Sequence, residues 1–131
     1  MYTLGIDIGS ITTKAAVMKD GAFVGAHVGF TGYNVGKAWR HVTDELLSAL
    51  ALDFSAMEKI VSTGYGRNGV EAAHKSVTEI TCHAAGVHYS APHIRSIIDI
   101  GGQDSKSIVL DENGRVKDFV MNDKCAAGTG R

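Results

Sequence analysis

The chain has 131 residues, 13 of them basic and 14 acidic, for a formal net charge of −1 at pH 7. That length suits one domain-sized unit with a real core, and the balanced charge gives no bulk attraction to nucleic acid or an anionic membrane, so neither is expected as a partner. No apolar run nears the roughly 20 residues of a membrane span, the first residues lack a signal-peptide pattern, and Cys82 and Cys125 are too few for a disulfide framework, so a cytoplasmic location is expected.

Tyr2 to Ile8, Thr13 to Met18 and Ala22 to Phe30 read as three strands of an antiparallel meander, with Lys19-Asp20-Gly21 as the turn between the second and third. Asn34 then caps a helix. Its apolar positions Val35, Ala38, Trp39, Val42, Leu46, Leu47 and Leu50 recur at three and four, giving one stripe that must pack on the sheet. Trp39, inside that stripe, is a core residue. Lys59 to Thr63 reads as a short buried strand, Gly69 to Lys75 as a short helix, and Thr78 to Ser90 as a second helix closed by Pro92. Cys82 sits mid-helix between Ile80 and Ala84 and is taken as core packing. Ser96 to Ile100, Ser105 to Leu110 and Val116 to Met121 repeat the meander, with Glu112-Asn113-Gly114 as its turn. The chain therefore starts the same fold twice. With no helix following this second meander, Ile98, Ile100, Ile108, Val109, Phe119 and Met121 are expected to be partly exposed, so that the chain either self-associates through this patch or shows the second meander poorly ordered.

Gly5-Ile6-Asp7-Ile8-Gly9-Ser10 and Ile98-Asp99-Ile100-Gly101-Gly102-Gln103-Asp104 say nearly the same thing. In each, an apolar run ends in Asp-x-Gly, and small polar residues lead into a second apolar run. Glycines let the backbone approach a ligand closely, successive N–H groups form an anion-binding concavity, and a carboxylate at the strand end can hold a divalent cation through its water shell. Lysine and hydroxyls follow each turn: Thr12, Thr13 and Lys14 in the first, Ser105, Lys106 and Ser107 in the second. One such turn is common hairpin punctuation, whereas two suggest a pair of loops facing one nucleotide.

Several other patterns compete. Gly64-Tyr65-Gly66-Arg67-Asn68-Gly69 fits the dinucleotide G-x-G-x-x-G spacing, but the helix after it is too short for a crossover between parallel strands. It reads as a glycine turn beside the cleft. Gly32-Tyr33-Asn34-Val35-Gly36-Lys37-Ala38 is one residue short of a P-loop and has alanine where a hydroxyl must meet magnesium. His83 and His88 are five apart, so they do not share a helix face with Cys82 as zinc ligands. The adjacent Asp44 and Glu45 point apart and belong to a solvated surface.

The final stretch, Met121-Asn122-Asp123-Lys124-Cys125-Ala126-Ala127-Gly128-Thr129-Gly130-Arg131, carries a cysteine and a glycine-rich turn. Together with the paired loops, Ser62-Thr63-Gly64-Tyr65-Gly66-Arg67 and Glu79-Ile80-Thr81-Cys82-His83-Ala84, it resembles the ATP-dependent activators of 2-hydroxyacyl-CoA dehydratases and benzoyl-CoA reductases, the BadF/BadG/BcrA/BcrD-type ATPases. The resemblance runs the whole length. It implies an α/β, actin-like (ribonuclease-H-like) fold with a mixed sheet and helices, divided into a first half over 1–92 and the opening of a second over 93–131. Asp7, Gly9, Ser10, Thr12 and Lys14 then form the first phosphate loop, and Asp99, Gly101, Gly102, Gln103 and Asp104 the second. Asp7, Asp99 and Gln103 are the catalytic candidates, with Asp7 and Asp99 holding magnesium through water.

The same resemblance implies that Cys125 is one ligand of a four-iron four-sulfur (4Fe-4S) cluster shared between the subunits of a homodimer. A basic neighbour, Lys124, and a helix starting at Ala126 would both favour the thiolate. The second cluster ligand and the adenosine-binding motif lie further along in the family. ATP or ADP, magnesium and the cluster are the implied cofactors. The implied partners are an acyl-CoA dehydratase or reductase component and an electron donor such as ferredoxin or flavodoxin. The activity expected is ATP hydrolysis coupled to electron transfer in the complete protein, with little turnover by these residues alone. The alternative is a kinase or nucleotide-binding module of the same superfamily, in which Cys125 is incidental.

Overall fold

A computed structural model of the chain describes residues 1–101 and 104–122. It divides into two compact units, Met1–Thr78 and Glu79–Arg131. In the first unit, strands β1 (Tyr2–Ile8), β2 (Thr12–Lys19) and β3 (Ala22–Phe30) form the expected antiparallel meander. Helix α1 (Val35–Ala49) then carries the chain over the sheet to β4 (Met57–Thr63), which pairs parallel to β1. A two-residue strand, β5 (Lys75–Ser76), completes a five-stranded mixed sheet in the order β3-β2-β1-β4-β5. The resulting order places β1 at the centre, with β2 antiparallel on one side and β4 parallel on the other.

The core follows from the two periodicities. Leu4, Ile6 and Ile8 alternate inward from β1, Ala15 and Val17 from β2, and Met57 and Ile60 from β4. Against them α1 buries Ala38, Trp39, Val42, Leu46 and Leu47, which confirms the helical stripe and the core placement of Trp39. The Asn34 side chain caps the helix by accepting the Lys37 N–H at 3.0 Å. The helix can lie close to β3 because Gly29 faces it: a Cβ there would come within 2.8 Å of a Val42 methyl.

The short helix expected over Gly69 to Lys75 does not form. Instead a single 3₁₀ turn spans Arg67–Gly69, and the chain then runs along the open edge of β4. His74 accounts for the difference. Its backbone N–H donates to the Ile60 carbonyl at 2.8 Å and its Nδ1 accepts the Ile60 N–H at 3.0 Å, so this segment takes sheet hydrogen bonds rather than helical ones.

The second unit holds α2 (Glu79–Ser90) and a three-stranded antiparallel sheet of β6 (Ser96–Ile100), β7 (Ser105–Leu110) and β8 (Val116–Asn122). Ile80 and Ala84 of α2 form a small core with Ile108 and Leu110 of β7, flanked by Ile97 and Val116. That packing places α2 in the second compact unit, which begins at Glu79. Ile98 and Ile100 are 78% and 80% exposed, and Val109, Phe119 and Met121 are also exposed. Ile108 is the correction, being fully buried, because it packs against Ile80 and Ala84 of α2. Cys82 is half-buried rather than central to the core. Among the described residues, no helix is long and apolar enough to cross a membrane.

Candidate functional site

The two Asp-x-Gly turns close by the same hydrogen bond. In the first, the Gly9 N–H donates to the Thr12 carbonyl at 2.9 Å; in the second, the Gly101 N–H donates to the Asp104 carbonyl at 2.7 Å. Measured from the aspartate, donor and acceptor occupy equivalent positions, Asp7 corresponding to Asp99. The register agrees as well, since Asp7 faces Lys14 across the hairpin and Asp99 faces Lys106, each lysine seven residues beyond its aspartate. The duplication read in the sequence is therefore also a duplication of backbone geometry.

The first loop is latched from beneath. Thr31, buried at the end of the meander, donates its hydroxyl to the Gly9 carbonyl at 2.8 Å and gives its N–H to the Ile11 carbonyl at 2.9 Å. Having one hydroxyl proton, Thr31 must accept from Thr13, whose Oγ1 lies 2.8 Å away. Thr13 thus turns inward as part of the support, while Thr12 stays half-buried and Ser10 exposed. Lys14 Nζ lies 3.6 Å from Asp7 Oδ2, and both side chains remain more than a third exposed. A pair of that kind contributes little to stability, so the ammonium is free to move to an incoming anion.

Asp7 also meets the glycine turn that follows β4. Gly66 donates its N–H to the Ile8 carbonyl at 2.9 Å, and Arg67 donates from Nη1 to the Gly64 carbonyl at 3.1 Å. Ser62, buried in β4, donates to the Arg67 carbonyl at 2.9 Å. Gly64 has φ +92, and a Cβ on it would overlap Asp7 Oδ1 and the Ile8 carbonyl. The Gly64–Gly69 motif therefore buttresses the first loop, and the parallel crossover from β1 to β4 runs through α1, which precedes it. Gly64→Ala is expected to cost about 2–5 kcal/mol, combining left-handed strain with the overlap on Asp7. Denaturant unfolding checks it, and a loss below about 0.5 kcal/mol would show that Asp7 is not held by this turn.

The second loop carries more negative charge. Lys106 is buried, and its ammonium faces Asp104 Oδ1 at 2.9 Å, Glu79 Oε2 at 3.5 Å and Asp99 Oδ2 at 3.6 Å. His83 Nδ1 of α2 lies 3.5 Å from the same Asp99 oxygen. Burial pushes the Lys106 ammonium down, but its hydrogen bond to Asp104 and the charges of Asp104, Glu79 and Asp99 outweigh this and hold its pKa above the ordinary lysine value. Gly102, Gln103 and Cys125 lie outside the described residues. No group of three His, Cys, Asp or Glu side chains among the described residues is arranged to hold a metal directly. The part-exposed carboxylates of Asp7 and Asp99, each beside a lysine, suit a cation held through water.

Glu79, His83 and Lys106 were not legible as one group in the sequence. Their signal was partial: the Asp-to-Lys spacing repeats, but only the packing of α2 brings Glu79 and His83 to that pair.

A family model described as the BadF/BadG/BcrA/BcrD ATPase family matches residues 4–131. The chain is 48% identical to an activator of lactoyl-CoA dehydratase from Anaerotignum propionicum, over all of this chain and 51% of that protein. It superposes on component A of the (R)-2-hydroxyglutaryl-CoA dehydratase of Acidaminococcus fermentans with a TM-score of 0.90 and 41% identity, covering 99% of this chain and 50% of that one. The activator of the 2-hydroxyisocaproyl-CoA dehydratase from Clostridium difficile, solved with bound ADPNP, superposes with a TM-score of 0.86 and 43% identity, covering 96% of this chain and 47% of that one. The architecture is thus the actin-like ATPase fold expected from the sequence. The chain spans about half the length of the relatives it matches.

Proposed function

The chain belongs to the BadF/BadG/BcrA/BcrD ATPase family, and from that premise we propose that the whole protein is an ATP-hydrolysing activator. It passes a low-potential electron to an acyl-CoA dehydratase or reductase of the 2-hydroxyacyl-CoA or benzoyl-CoA type. The observation that carries the nucleotide part is the matched closure of the two Asp-x-Gly loops, each ending a strand and each followed by a lysine.

In this reading Gly9, whose own N–H closes the turn, lets the phosphates approach the backbone, the N–H groups of Ser10 and Ile11 with the hydroxyls of Ser10 and Thr12 receive them, and Lys14 leaves Asp7 to neutralise them. Gly101, Gly102 and Asp104 would play the corresponding nucleotide-binding part in the second loop, with Gln103 the catalytic candidate there. Asp7 and Asp99 orient the water shell of magnesium, which when bound offsets the charge that develops on the phosphates. Cys125 would be one thiolate ligand of a 4Fe-4S cluster shared by a homodimer, and that cluster would supply the low-potential electron, with ferredoxin or flavodoxin as the donor. The setting is the anaerobic cytoplasm.

Reconstitution tests this function. The full-length protein is combined anaerobically with Mg-ATP, a reduced donor and an acyl-CoA dehydratase component. Product is expected only when all are present. If the dehydratase stays inactive and phosphate passes from ATP to a small-molecule acceptor instead, the kinase alternative holds.

A further inference from the structure

Lys106 and Lys14 occupy equivalent positions but have opposite surroundings. Lys14 is 44% exposed at its side chain and faces one carboxylate, whereas the Lys106 side chain is 3% exposed and faces three. Those three come from different segments: Glu79 opens α2, Asp99 lies near the end of β6, and Asp104 sits in the turn before β7. A buried lysine persists only where its charge is met, and here the ammonium is committed to protein groups rather than open to a phosphate. Both Lys106 and His83 approach Asp99 at Oδ2, at 3.6 and 3.5 Å, so that carboxylate meets two nitrogen groups on one side.

We infer that Lys106 is a positioning residue for the second loop. Its ammonium acts as a built-in cation that ties Asp99 to Asp104 and Glu79, holding Asp99 toward the water shell of the metal. The inference rests on the Mg-ATP reading above and adds the residue that sets Asp99 in place. Without the ammonium, three carboxylates would share one small space, and like-charge repulsion would drive one to protonate or to turn away. The first loop needs no such residue, because the Gly64 turn already confines Asp7.

The experiment compares the full-length protein with Lys106→Met and Lys106→Gln by calorimetry, titrating ATP with magnesium and again with a chelator. Lys106→Met keeps the length of the stem, and Lys106→Gln keeps a hydrogen-bond donor without the charge. Each variant is expected to bind Mg-ATP at least about tenfold more weakly while its metal-free ATP affinity stays within about threefold of the parent, since only the metal-orienting group has moved. A general defect would weaken both titrations equally. Parental Mg-ATP affinity in both variants, or an equal loss with and without magnesium, overturns the positioning role. So does failure of both variants to fold, which would make the lysine a requirement of the fold itself. A parent that does not bind Mg-ATP at all overturns the nucleotide reading and this inference with it.

Discussion

Asp7→Asn in the full-length protein is expected to lower ATP turnover by about a hundredfold, the usual scale for removing one preorganised charge or hydrogen-bonding group from a transition state. The carboxylate ends β1 at the point where the antiparallel hairpin and the parallel β4 meet, so the sheet itself aims it. Asparagine has the same shape and preserves the contact with Gly64, which isolates the charge. The fold should survive, because the pair with Lys14 is part-exposed and its loss costs no more than about 1 kcal/mol. Phosphate release measured beside a thermal melt checks both halves of this expectation. Parental turnover in a folded Asp7→Asn protein would remove Asp7 from the mechanism.

Cys125→Ala in full-length protein prepared without oxygen is expected to lose its iron and its visible absorbance altogether. The Asn-Asp-Lys-Cys-Ala-Ala-Gly-Thr-Gly-Arg stretch supports this assignment through its match to the activator motif, with Lys124 alongside to favour the thiolate. Cys82 is the internal control. It lies half-buried on α2, and Cys82→Ala should keep full iron content with a destabilisation of about 1 kcal/mol. Equal iron in the parent and in Cys125→Ala would end the cluster assignment and promote the kinase-like alternative.

What the sequence made legible was set by local physics. The β1–β3 meander, the α1 stripe from Ala38 to Leu47 and the Asn34 cap each depend on residues close together in the chain, and each appears as read. The two loops were legible because their closure is a short-range backbone hydrogen bond, repeated at equivalent spacing. Three features were not. The segment after Gly69 reads as helix in the sequence, yet His74 finds its partners on Ile60. Ile108 is expected to be partly exposed in a meander that no helix follows, though Ile80 and Ala84 of the preceding α2 cover it. Glu79 and His83 join the Lys106–Asp99 pair only when α2 packs on β7, and no spacing rule relates Glu79 to Lys106. Long-range packing decided all three.

The central claim is that both Asp-x-Gly loops hold one Mg-ATP, and calorimetry on the full-length protein with Asp7→Asn and Asp99→Asn tests it most directly. The account predicts that each substitution weakens Mg-ATP binding by about tenfold or more, equivalent to about 1.4 kcal/mol, with both variants still folded; Asp7→Asn leaves the thermal melt essentially unchanged, whereas Asp99→Asn lowers it because one of the three carboxylates facing the buried Lys106 loses its charge. If both variants fold and bind Mg-ATP as tightly as the parent, the loops are hairpin turns and the nucleotide site lies elsewhere.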